Sequence, residues 1–162
     1  MSKQTIETFF AGKNLVVPSY QRDYAWRQRN IDELFADVDE ALEVGGHYLG
    51  TFILSQQSPS EPVFVVDGQQ RLTTLTMLLD ALIEVLESPD VRSAMRSTYI
   101  QHPLTGYKFQ VLGENEDFFE AMLAKQNPKP ASAGQTRLQD AYQYIRLRVQ
   151  DLVKQGGQPL VL

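Results

Sequence analysis

The chain has 162 residues, 43% hydrophobic and 22% charged, with a net charge of −5. That is the size and balance of one globular domain with a sizeable core, and its acidic sign speaks against a surface built mainly to coat nucleic-acid backbone. The absence of cysteine rules out disulfides, thiolate zinc sites and a cysteine nucleophile, and two histidines, His47 and His102, argue against a multi-histidine metal centre. The start, MSKQTIETFF, lacks the apolar core of a signal peptide, and no apolar run approaches membrane-spanning length, so a cytoplasmic protein is expected.

In chain order, a short helix is predicted over 4–11, ended by Gly12, followed by a strand at 15–17 stopped by Pro18. PSYQRDYAWRQRN, polar, aromatic and basic without a clear period, reads as a loop. Asn30 followed by Glu33 fits a capping box, and Ile31, Leu34, Phe35, Val38 and Leu42 continue at helical spacing until Gly45 and Gly46. HYLGTFILS (47–55) predicts a strand, SQQSPSEP a hairpin-type connector, and PVFVV (62–66) a second strand with apolar residues on both faces, as in a sheet interior. A helix from Gln69 to Glu87 would carry Leu72, Leu75, Leu79, Leu82, Ile83 and Leu86 on one broad face. Beyond Pro89 the reading is helical, over 90–100, 115–126 and 136–155, with a loop at 127–134 and GGQP as the last stop. The terminal PLVL reads as the start of a further element, so the chain is expected to be a fragment or a truncated product.

Between the second strand and the leucine-rich helix stands DGQQR, residues 67–71. A strand, a tight turn and a helix start form a geometry suited to an anion, because the first helical turn has unpaired N–H groups and the positive end of the dipole. Gly68 tolerates positive φ and close backbone approach, Arg71 offers a forked donor set, and Thr73 and Thr74 add hydroxyls. Gln69 and Gln70 can donate and accept, so a base edge, a ribose or a water is within their chemistry. The same residues could equally be architectural: Asp67 capping the helix, Arg71 pairing with Asp67 or Glu61, the glutamines facing solvent. In the 18–27 loop, Tyr20, Tyr24 and Trp26 stand among Gln21, Arg22 and Arg27, a set able to stack on bases and reach phosphates, or simply to cover the core. Neither GxxxxGK[ST] nor a dinucleotide fingerprint is present.

Taken together, VPSYQRDYAWRQRNIDELFADV, HYLGTFIL and VFVVDGQQRLTTLTMLLDAL resemble the N-terminal domain family of GmrSD-type modification-dependent restriction systems, with weaker similarity through KFQVLGENEDFFEAML and TRLQDAYQYIRLRV. The resemblance implies an α/β (α+β) fold similar to ParB and sulfiredoxin: a small mixed sheet in a nucleotide-binding core, taken as residues 1–88, with 89–162 as a helical extension. It further implies binding and hydrolysis of a nucleoside triphosphate with Mg²⁺, coupled to attack on foreign, often modified, DNA. Position by position, Asp67, Gln69 and Gln70 would be catalytic, while Gln21, Arg22, Tyr24, Trp26, Gly68, Arg71, Thr73 and Thr74 would hold the nucleotide; no residue is expected to form a dedicated metal site. DNA would be met through the full-length protein or a partner nuclease, since the HNH-type nuclease domain common in full-length members has no counterpart here. No membrane is expected as a partner, and a homodimer stays open. A non-hydrolysing nucleotide switch, a DNA-modification sensor and a structural adaptor are the alternatives.

Overall fold

The computed structural model describes residues 4–45 and 48–156, with only the backbone at Leu42. The expectations placed on the Leu42 side chain, Gly46, His47 and residues 157–162 therefore lie outside the described residues.

Helix α1 (Ile6–Phe10) is capped by Thr5, whose hydroxyl accepts from Thr8 N–H, and Gly12 follows at φ +64°. Strand β1 (Leu15–Val17) is wholly buried. Helix α2 (Gln28–Val44) begins earlier than the capping box predicted. Arg27 is its N-cap and Asn30 lies in the first turn, accepting the Arg27 N–H at 3.0 Å, while Glu33 pairs with Arg29 at 3.1 Å. Asn30 thus caps from inside the helix.

Strand β2 (Ile53–Ser55) keeps only the end of the strand expected over 47–55. Gly50 turns the chain at φ +108°, and the pairing register shifts between Ile53 and Leu54, so ladder hydrogen bonding extends no further back. Strand β3 (Val63–Asp67) pairs antiparallel with β2, as the hairpin connector predicted. Its second face is only half covered, because Phe64 is half-buried and Val66 is exposed.

Helix α3 (Gln69–Glu84) follows, then α4 (Pro89–Tyr99), a small hairpin of β4 (Gln101–His102) and β5 (Gly106–Tyr107), strand β6 (Phe109–Val111), α5 (Glu116–Leu123) and α6 (Ala133–Lys154). The sequence pattern predicts no strand between 101 and 111, where the structure has three. β6 nevertheless completes a four-stranded sheet of order β2-β3-β1-β6, in which β1 lies parallel to both β3 and β6. One sheet strand therefore comes from the part of the chain read as a helical extension.

α3 is the central helix. Instead of burying one broad face it buries nearly every side chain from Gln69 to Ile83, including Thr76 and Asp80. It packs against α4 and α6, and its buried residues share one core cluster with those of the sheet and the other helices. A helix enclosed on all sides is apolar all round, and its few polar positions must find partners inside the protein.

Candidate functional site

Parallel β3, β1 and β6 all send their carboxyl ends to the same edge of the sheet, where open α/β sheets bind ligands. Three chain segments leave that edge: the loop after β1, the start of α3 after β3, and the turn after β6. They enclose a crevice of about 290 Å³, near the lower end of small-molecule sites, which run from roughly 300 to 1,000 Å³. Its walls include Arg22, Tyr24, Gln69, Thr73 and Asn115.

The two motifs singled out in the sequence are bound to each other here. Gln70 uses both ends of its carboxamide on the backbone of the loop after β1: Ala25 N–H donates to Oε1 at 2.8 Å and Nε2 donates to the Asp23 carbonyl at 3.1 Å. Gln69 Nε2 faces the Arg22 carbonyl at 3.4 Å, and Gln21 donates to the Val66 carbonyl at 3.2 Å. Both glutamines of DGQQR are buried, so the solvent-facing alternative does not hold. Thr73 and Thr74 hydroxyls return to the carbonyls of Gln69 and Gln70 one turn back, each at 2.8 Å. With its proton committed there, Thr74 accepts the Tyr24 phenol at 2.8 Å. Tyr24 is 4% exposed, and burial pushes its pKa up to about 12. The Tyr24 carbonyl in turn accepts from Arg137 of α6 at 2.7 Å.

Asp67 and Gly68 shape the turn. The Asp67 carboxylate accepts the Gly68 N–H at 2.8 Å and remains exposed. Gly68 has φ +90°, and an added Cβ would fall 2.5 Å from Phe52, so both conformation and space require glycine.

Arg71 lies outside the crevice. Successive helical residues are rotated by about 100°, so Arg71 projects roughly 200° around α3 from Gln69. Its guanidinium passes over Gly50, where any Cβ would collide with it, and lies 6.0 Å from the Trp26 ring. Nε is buried with no hydrogen-bond partner, and neither Asp67 nor Glu61 forms a salt bridge with Arg71 among the described residues. The structure thus gathers Gln21, Arg22, Tyr24, Gln69, Gln70 and Thr73 at the crevice and leaves Asp67, Gly68, Arg71, Trp26 and Thr74 beside it.

Two acceptors at the crevice are unmet. Gln69 Oε1 and Asn115 Oδ1 are buried without a donor, on side chains only 8% and 7% exposed. In each carboxamide the NH₂ faces an oxygen, the Arg22 carbonyl for Gln69 and the Asp23 carboxylate at 3.1 Å for Asn115. Those partners fix which atom is the carbonyl. An unpaired buried acceptor costs about 1–3 kcal/mol. Sequence reasoning missed Asn115, because the turn that carries it follows a strand only the folded sheet reveals.

Among the described residues, no group of three or more His, Asp or Glu side chains could hold a metal ion, and no helix is long and apolar enough to cross a membrane.

The uncharacterized protein MJ0686 of Methanocaldococcus jannaschii is 27% identical over a stretch covering 38% of this chain, and that stretch spans 14% of the relative's length. The family described as GmrSD restriction endonuclease, N-terminal domain, matches residues 6–155. With nearly the whole described fold inside that match, the chain belongs to the N-terminal domain family of GmrSD restriction endonucleases.

Proposed function

We propose that this domain binds a nucleoside triphosphate with Mg²⁺ across the start of α3, hydrolyses it, and so serves a restriction system directed at DNA. The observation that carries this reading is the Arg71 guanidinium, with a buried Nε that has no acceptor, held in place by Gly50 and Trp26 beside the open end of a long helix. A guanidinium without an acid partner, next to unpaired helix N–H groups, is complementary to phosphate oxygens. Phosphates lying over the helix end would have Arg71 on one flank and the exposed Arg22 on the other.

Triphosphate hydrolysis depends mostly on positioning and on neutralising charge. Asp67 is the carboxylate closest in sequence to this helix end, and an ion bound mainly by phosphates and water needs little more from the protein. When bound, Mg²⁺ would supply charge neutralisation on the phosphates. Gln70 is fully occupied with the loop after β1 and acts here as a positioning residue. Gln69 has the spare carbonyl, which would accept a hydrogen bond from the attacking water and orient it. Gln21, Tyr24, Thr73 and Thr74 hold the surrounding backbone, and Trp26 backs Arg71. DNA would be reached through the full-length protein or a partner nuclease.

The full engagement of Gln70 also favours a second reading, a nucleotide switch that does not turn over. Thermal-shift titration with each ribonucleoside triphosphate, with and without Mg²⁺, tests binding; a ligand at about a hundred times its Kd adds roughly 2.7 kcal/mol of stability. Phosphate release then separates the two readings. Gln69→Ala should lower turnover more than affinity, the sign of an interaction made mainly in the transition state. Tight binding without phosphate release in any form of the protein leaves the switch.

A further inference from the structure

Asn115 occupies the N-cap position of α5, where an asparagine ordinarily turns its carbonyl oxygen onto the first helical N–H groups. Here it makes no such bond. Its Nδ2 is spent on Asp23, and its Oδ1 stays buried and unpaired at the crevice. Gly113, at φ +90°, brings the turn after β6 against the loop after β1; a Cβ on it would lie 3.2 Å from that of Ser19. Val17, Leu112 and Leu138 give the crevice apolar walls, and the Asp23 carboxylate stands beside Asn115.

This arrangement does not suit phosphate. Ionised phosphates only accept hydrogen bonds, so an unpaired carbonyl oxygen beside the Asp23 carboxylate repels them. It suits the other end of a nucleotide, where a flat base can lie against apolar walls and ribose hydroxyls or a base amine can donate. We propose that Asn115 reads the nucleoside: its Oδ1 accepts a hydrogen bond from a ribose hydroxyl or an exocyclic base amine, making it a specificity residue. This rests on the nucleotide-binding reading above and extends it to a residue outside both motifs.

The test is a set of Kd values for the wild-type protein, Asn115→Ala and Asn115→Ser, with Mg²⁺, using matched ligands. ATP against 2′-deoxy-ATP and 3′-deoxy-ATP probes the ribose, CTP against UTP probes an amine against a carbonyl, and inorganic triphosphate carries no nucleoside. The wild type should favour the donor-bearing member of at least one pair by about tenfold, the scale of one hydrogen bond. Both variants should lose that preference while binding inorganic triphosphate as the wild type does. Whichever pair shows the effect identifies the donor. Asn115→Ser retains a good capping residue and carries the test if the alanine variant does not fold. A preference that survives both substitutions, or equal wild-type binding of nucleotides and inorganic triphosphate, overturns the role of Asn115 and leaves triphosphate binding standing. Failure of the wild type to bind any of these ligands overturns the nucleotide reading itself.

Discussion

Arg71 and Asp80 stand on the same helix, and their surroundings are opposite. Asp80 is 0% exposed and fully engaged: Arg96 reaches one carboxylate oxygen at 2.6 Å, and Lys125 and the Tyr142 phenol share the other. Glu84, one turn on, receives Lys125 at 3.3 Å and Arg146 at 3.1 Å. Arg71 has packing neighbours but its buried Nε has no acceptor. A buried acid with two cations and a phenol holds α3, α4 and α6 together. A cation that the protein positions without an acid has capacity left for something else. Polar density alone does not separate the two residues; unspent hydrogen-bonding capacity does.

The sharpest break of that contrast is Asp80→Ala, which would leave Arg96 without its acid and Lys125 with Glu84 alone. Removing one partner of a buried pair costs about 3–5 kcal/mol, so denaturant unfolding should show a loss of that order. An unchanged midpoint would mean the network is ornamental. Next comes Gln70→Ala, which leaves the Ala25 N–H and the Asp23 carbonyl without their partner; a loss of about 1–3 kcal/mol is expected, with faster proteolysis of the 18–27 loop.

Tyr24→Phe tests the link between the loop and α3 through pH. Burial raises the phenol from 10.0 to about 12 in the folded protein. The unfolded chain gives up its proton first, so this contribution is whole below pH 10 and is lost as pH rises toward 12. Unfolding midpoints on either side of pH 10 should fall less steeply in Tyr24→Phe. Tyr142, raised by burial first and by Asp80 second, would keep part of the fall. The smallest stability effect belongs to Arg71→Ala, within about 0.5 kcal/mol of wild type, because no described acid or acceptor is stranded by its loss. The same substitution should abolish nucleotide binding in calorimetric titration. Unfolding of Arg71→Ala would place it with Asp80 among the architectural residues.

Local pattern carried far along this chain where the signal was local. β1, the β2–β3 pairing, α1 and α4 follow from residues within one or two turns of themselves: Gly12, Pro18, the SQQSPSEP connector and Pro89. The start of α2 was misplaced because Asn30 can cap from the first turn as well as from outside it. β6 was invisible because three residues of mixed polarity make a strand only when β1 is already beside them.

The sequence by itself determined the strands at 15–17 and 62–66 and the leucine-rich helix after DGQQR, since periodicity and turn chemistry are written in neighbouring residues. Only the tertiary structure decided how the polar groups are spent. Gln70 is consumed by backbone 45 residues away, Asp80 by cations from two other segments, and Arg71 by no described acid. A hydrogen bond depends on distance and direction between two groups, and for partners so far apart in the chain those are set by packing of the whole core.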